Sequence, residues 1–159
     1  MILVLLGTQN NDFSRLLREI DRQINKGNIK DNVLVQAGFT KYESENMQIF
    51  DMKSIGEIDR LIDSADLIIT HGGAGTIINS IKKGKKVIAV ARLKEYFEHV
   101  NNHQKEIINR FNRDGYIIGI NDAEKLEDAL IKVANFNSIP YIENSTKIIE
   151  IIEKFIDES

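Results

Sequence analysis

The chain has no cysteine among its 159 residues, which excludes a disulfide framework, a thiolate metal site and a thiol nucleophile. Proline is almost as scarce. Pro140 stands alone, and no proline-rich linker, low-complexity tract or internal repeat divides the chain. An excess of positive charge is missing too: 21 Lys and Arg against 24 Asp and Glu, interspersed, leave a net charge of -3 and argue against a nucleic-acid partner. Nowhere do about 18 apolar residues run together, so no segment is expected to span a membrane. The apolar opening Met1-Ile2-Leu3-Val4-Leu5-Leu6 has no basic region before it and runs straight into Gly7-Thr8-Gln9, so it reads as a buried strand and not as a leader. What remains is 42% hydrophobic residues, enough for one well-buried core in a chain too short for two ordinary domains. Residues 1–159 are therefore read as a single domain.

Short β-rich apolar runs alternate with helical periodicity throughout, the pattern of βα units. Strands are expected at 2–6, 33–37, 48–51, 67–70, 86–91 and 116–120. A helix fits 12–26, with Phe13, Leu16, Leu17, Ile20 and Ile24 on one face and Gly27 closing it. A second fits 55–64, opened by Ser54 with Glu57 three residues on, a capping box. Others fit 75–83, 101–112 and 123–134, the last capped by Asp122. After Pro140, a final amphipathic helix is expected to lay Ile142, Ile149, Ile152 and Ile156 back over the sheet. Residues 38–46, polar and without period, form the one segment expected to be loose. The fold class is α/β: a Rossmann-like domain with a mostly parallel six-stranded sheet. Open sheets of this kind bind ligands beyond the carboxyl ends of their strands. That directs attention to Gly7-Thr8-Gln9, Gly38, residues 71–76, residues 92–104 and Asn121.

Strand 67–70 runs at once into His71-Gly72-Gly73-Ala74-Gly75-Thr76 and then into a helical run ended by Gly84. Glycines allow a sharp turn and let an anion approach bare amides, while the unpaired N–H groups and dipole of the helix start supply attraction. Thr76 adds a hydroxyl donor. A diphosphate is the ligand that suits such a turn. The plainer reading is a tight βα connection with His71 as an ordinary polar residue. The segment is not a P-loop, because no Lys follows the last glycine, and the dinucleotide fingerprint belongs after the first strand, where only Gly7-Thr8 stands.

A second polar cluster follows the fifth strand: Arg92, then Glu98-His99-Val100-Asn101-Asn102-His103-Gln104. Asn101 and Gln104, three apart, would share a helix face, and amides with a carboxylate suit a hydroxyl-rich ligand. The plainer reading is a solvated helix start capped by Asn101. The spacing of Glu98, His99 and His103 is not that of a standard zinc motif, and no metal is expected.

Together the turn at 71–76, then Gly84-Lys85-Lys86-Val87-Ile88-Ala89-Val90, then Glu98 to Gln104 resemble the C-terminal domain of family 28 glycosyltransferases. The likeness is strongest to small single-domain bacterial polysaccharide transferases and to the catalytic subunit of the eukaryotic transferase that adds the second N-acetylglucosamine to dolichol diphosphate. Gly7-Thr8, Phe13, Arg15-Leu16, Ile20-Asp21 and Gln36-Ala37-Gly38 extend it over roughly the first three quarters of the chain.

The resemblance implies the donor-binding half of a GT-B fold and an inverting, metal-independent hexosyltransferase that takes its sugar from a UDP-sugar and needs no cofactor. In that picture the glycine turn, His71, Gly72, Gly73, Ala74, Gly75 and Thr76, holds the diphosphate and Asn101, Asn102, His103 and Gln104 face the donor sugar, with Gly7, Thr8, Asn79, Arg92 and Glu98 as further substrate-binding candidates. Two positions depart from the family. Related larger enzymes place a ribose-gripping glutamate where this chain has Asn79, and the bacterial relatives often carry His where it has Gln9, an amide that cannot act as a base. The remaining candidates for catalysis are His99, His103 and Glu98. A GT-B enzyme reacts in a cleft between two domains, so one domain leaves that wall unbuilt, and the resemblance points to a separate membrane-associated subunit that presents a lipid-linked acceptor. That places this chain in the cytoplasm, recruited to the inner face of the membrane in polysaccharide biosynthesis. The competing readings are a UDP-sugar 2-epimerase-like enzyme and a nucleotide-binding regulatory module without transferase activity.

Overall fold

The computed structural model describes residues 1–98 and 103–155. Six strands, β1 (Ile2–Leu5), β2 (Val33–Gln36), β3 (Gln48–Phe50), β4 (Leu67–Thr70), β5 (Lys86–Val90) and β6 (Ile118–Ile120), form one sheet in the order β3-β2-β1-β4-β5-β6. All five pairings are parallel. The strand order reverses between β1 and β4, and Leu5 pairs with both Gln36 and Thr70 there. The turns that follow β1, β2 and β4 therefore leave the sheet side by side, at the switch point where such folds open a crevice.

Alternation along each strand feeds two apolar layers, as expected of a parallel sheet covered on both faces. Ile2, Val4, Val35, Ile69, Ile88 and Val90 pack on one side with helices α1 (Ser14–Asn25) and α5 (Leu126–Ala134). Leu3, Leu5, Ile68, Val87 and Ala89 pack on the other with α2 (Ile55–Ser64), α3 (Ala74–Lys82), α4 (His103–Arg113) and α6 (Thr146–Phe155). The expected face of α1 is the buried one: Phe13, Leu16, Leu17 and Ile20 have no exposure, each contributing about 1.5–3 kcal/mol over a solvated position. The capping box of α2 is present, Glu57 N–H donating to Ser54 Oγ (3.2 Å) and Ser54 N–H to Glu57 Oε2 (2.9 Å).

Three expectations change. First, residues 38–46 carry no regular structure but are tied to α1. Asp21 accepts from Tyr42 Oη (2.5 Å), Ser44 Oγ (2.6 Å) and Asn46 Nδ2 (3.2 Å), and buried Thr40 Oγ1 accepts from Phe13 N–H (3.0 Å). Burial, then the bond to Asp21, pushes the Tyr42 hydroxyl up to about 12. Second, β6 starts two residues later than its apolar run. Gly115 turns in the left-handed region and Tyr116 packs edge-on against Phe111, 6.3 Å between centroids, leaving α4 before the strand begins. Third, the last helix starts at Thr146, its Ser145 Oγ accepting from Ile148 N–H (3.3 Å). This later start points Ile148, Ile151 and Phe155 at the sheet, with Ile152 half-buried, and leaves Ile142 and Ile149 exposed. Ile156 lies outside the described residues.

Candidate functional site

At the switch point, four glycines let three turns and a helix approach more closely than side chains permit. A Cβ on Gly38 would sit 2.6 Å from the Gly7 carbonyl oxygen, and one on Gly7 2.5 Å from His71 Nε2. A Cβ on Gly73 would meet His71 Cε1 at 2.6 Å, and one on Gly72 would meet Gln104 Cβ at 2.7 Å. Gly7 and Gly38 also need positive φ. The His71 ring is thus boxed between two glycines, and it is buried. Gln104 fixes it from behind. Its Oε1 accepts from Arg92 N–H (3.3 Å), which turns Nε2 toward His71 Nδ1 at 3.3 Å and makes that ring nitrogen the acceptor.

Gly75 is different. It is exposed, and a Cβ there would meet nothing within 4 Å. It sits in the first turn of α3, where Gly73 caps without a side-chain bond and the first internal bond runs from Ile77 N–H to Gly73 O (3.1 Å). The amides of Ala74, Gly75 and Thr76 therefore donate to no protein acceptor among the described residues. Gly75 and Thr76 line an open cleft of about 310 Å³ together with Gly7, Thr8, Gln9, His71 and Gly73. A second cleft of about 300 Å³ shares Gly7, Thr8, Gly75 and Thr76 and continues between α2 and α3 over Leu5, Met52, Ile55, Ile58 and Ile62. The larger cavity, about 590 Å³, runs along the free edge of β6 beside α5 and lies away from this chemistry.

In the polar cluster after β5, Arg92, Glu98 and Gln104 do not line the open cleft. Glu98 is buried, its Oε1 accepting from Arg15 Nε (2.7 Å) and its Oε2 from Arg15 Nη2 (3.0 Å) and Leu93 N–H (3.0 Å). Burial opposes the Arg15 charge, but Glu98 and Asp122 outweigh it and hold its pKa above the ordinary value. Arg92 is buried as well. Nη1 donates to Asn11 O (2.6 Å) and Glu98 O (3.3 Å), Nη2 donates to Leu6 O, and the guanidinium stacks 4.9 Å from the Phe13 ring centroid. Its Nε has no partner among the described residues, and burial lowers its pKa to about 10, still charged at neutral pH. Arg92, Glu98 and Gln104, expected among the substrate-binding residues, thus have most of their polar atoms engaged by backbone, Arg15 and His71, and they brace the turns around the cleft. A carboxylate held by a bidentate arginine is no ready base.

His103 is exposed at the start of α4. His99, Asn101 and Asn102 lie outside the described residues, and so does the shared face expected of Asn101 with Gln104. Among the described residues, no three His, Asp or Glu side chains converge to hold a metal. Asn79 is at the second cleft, where its Nδ2 donates to Asp59 Oδ1 (2.9 Å). Asp59 and Met52 escaped the sequence reading. The rule of looking just beyond each strand, applied after β3, would have reached Met52, but Asp59 sits 20 residues before Asn79 on another helix and had no such signal.

With this geometry in place, comparison with known proteins is direct. The glycosyltransferase family 28 C-terminal domain matches residues 1–158. The UDP-N-acetylglucosamine transferase subunit ALG13 of Candida glabrata is 30% identical over 112 residues, covering 69% of this chain and 54% of the relative. The human protein of the same name is 32% identical over 75 residues, covering 47% of this chain and 6% of the relative. The chain thus spans about half of the first relative and a small part of the human one. Among solved structures, an NMR structure of ALG13 superposes with a TM-score of 0.57 at 18% identity, covering 96% of this chain and 93% of that one. Acinetobacter baumannii MurG gives 0.57 at 18% identity, covering 83% and 41%. These two likenesses establish the fold alone.

Proposed function

The chain belongs to the glycosyltransferase family 28 C-terminal domain family, and from that premise we propose that it is the donor-binding subunit of an inverting, metal-independent UDP-sugar transferase in glycan biosynthesis. The observation that carries the reading is the bare amino end of α3, whose Gly73, Gly75 and Thr76 line an open cleft that the glycines keep clear of side chains. Anions bind there without a counter-cation. In a direct displacement the acceptor hydroxyl attacks the anomeric carbon as the sugar–phosphate bond breaks, and negative charge grows on the departing diphosphate. Donors already aimed at that position stabilise the charge in the transition state, the place where binding energy raises the rate. The second cleft, apolar and continuous with the first, takes the nucleoside.

The acceptor comes from elsewhere. The relatives are named as subunits of a UDP-N-acetylglucosamine transferase, which supports a partner that presents the acceptor and makes UDP-N-acetylglucosamine the first donor to try. No helix among the described residues is long and apolar enough to cross a membrane. Membrane association and a lipid-linked acceptor would accordingly be the partner's contribution. Glu98 is held by Arg15, so the base that takes the acceptor proton is His103, His99 or a group of the partner.

Calorimetry with UDP, UDP-N-acetylglucosamine, FMN and NAD tests the reading. UDP and its sugar are expected to bind; binding of FMN or NAD without UDP would overturn the proposal. Turnover by the chain alone at the rate reached with the partner would remove the subunit part of it.

A further inference from the structure

Three elements converge on one imidazole ring. His71 follows β4, Arg92 follows β5 and Gln104 lies in the first turn of α4, and all three side chains are buried. Gly72 permits the meeting, since a Cβ there would come within 2.7 Å of Gln104 Cβ. A backbone N–H only donates, so the 3.3 Å contact with Arg92 N–H fixes Gln104 Oε1 as its acceptor and leaves Nε2 to donate to His71 Nδ1 at 3.3 Å. An accepting Nδ1 carries no proton, which excludes the imidazolium and puts the ring's single proton on Nε2. That nitrogen lies at the glycines, where a Cβ on Gly7 would approach it to 2.5 Å and one on Gly73 to 3.0 Å. His71 and both glycines line the open cleft.

We infer that Gln104 is a positioning residue: without touching the donor, it fixes His71 as the neutral tautomer that carries its proton on Nε2, beside Gly7 and Gly73. The inference rests on the nucleotide reading above, under which that N–H is a hydrogen-bond donor for the departing diphosphate. Its direction is set before the reaction begins, the condition under which a donor stabilises growing charge without reorganisation. The same lock has a second consequence. With no lone pair at Nε2, His71 cannot take the acceptor's proton, so the base must be another group. This role differs from the one implied by the resemblance, in which Gln104 faces the donor sugar.

The test combines nitrogen NMR of the histidine rings in the full chain with calorimetry using UDP, UDP-N-acetylglucosamine and inorganic pyrophosphate. At neutral pH the wild-type His71 ring is expected to show a protonated Nε2 and a bare Nδ1; a proton on Nδ1 would overturn the inference. Gln104→Glu keeps the shape and offers His71 an acceptor in place of a donor, so a proton should appear on Nδ1. A spectrum unchanged from the wild type would mean that Gln104 does not set the tautomer. Gln104→Met removes the bond and should weaken all three ligands by the same factor, about 5-fold. A loss confined to the sugar nucleotide would make Gln104 a sugar contact, and undiminished binding of all three would leave it a purely structural role; either result sinks the positioning assignment. Should Gln104→Met fold poorly by its melting curve, the Gln104→Glu spectrum still decides. If the wild type shows the expected tautomer but binds neither UDP nor pyrophosphate, the nucleotide reading itself fails, and the diphosphate role of His71 falls with it.

Discussion

Two stretches at the same rim of the sheet have similar chemistry in sequence and opposite roles in the fold. Residues 71–76 and residues 92–104 each follow a strand, precede a helix and hold histidine with other polar groups. In the first, the glycines clear space and leave three amides bare. In the second, Arg92, Glu98 and Gln104 are 1%, 2% and 4% exposed, and apart from Arg92 Nε their side-chain polar atoms bond to Arg15, His71 and backbone groups. The first is proposed as a cradle; the second braces it. Gln104 joins them, since it holds the His71 ring that the glycines enclose. Polar richness at a strand end therefore does not by itself mark a binding surface; whether the groups are already satisfied within the protein decides it.

The contrast predicts separable damage. The largest effect belongs to the buttress. Arg92→Ala strips donors from the carbonyls of Leu6, Asn11 and Glu98 and opens a void, and is expected to cost about 3–5 kcal/mol in a denaturant titration. In the cradle, Gly75→Asp should do the reverse. An acid in the first turn of a helix is favourable and the position has room, so the melting temperature should hold or rise, while UDP binding falls at least about 100-fold, near 2.7 kcal/mol. Loss of stability without loss of binding there would erase the distinction between the regions. Glu98→Gln, which keeps shape and removes the charge facing Arg15, should destabilise by about 2 kcal/mol; a collapse of turnover at unchanged stability would instead return Glu98 to the chemistry.

The smallest effect tests the rim segment 38–46. The Tyr42 pKa is raised in the folded state, so its contribution is complete below its ordinary value near 10 and is lost as pH climbs through about 12. Comparing Tyr42→Phe with wild type in urea from pH 9 to 12 should show the wild type losing the more stability across that window. Parallel curves would mean that the tie to Asp21 is not formed.

Much of this was legible in one dimension. Every strand, the capping box at Ser54 and Glu57, the buried face of α1 and the glycine turn before α3 follow from local periodicity, turn chemistry and position after a strand. The errors have a common cause. The last helix buries a different face from the expected one because its start depends on the Ser145 cap, and residues 38–46 are held rather than loose because their anchor, Asp21, lies on α1.

By itself, then, the sequence determined the alternating strands and helices of a parallel α/β sheet and the glycine turn that ends β4, since these depend on residues close together in the chain, whereas the strand order and its switch point come from pairings across more than 30 residues. Only the tertiary structure decided which polar groups remain available. Glu98 meets Arg15 83 residues away, Arg92 meets Leu6 at 86, and Asp59 reaches Asn79 from another helix. A polar side chain's role is set by its desolvation and by the partners that satisfy it, and those partners are chosen by packing rather than by spacing along the chain.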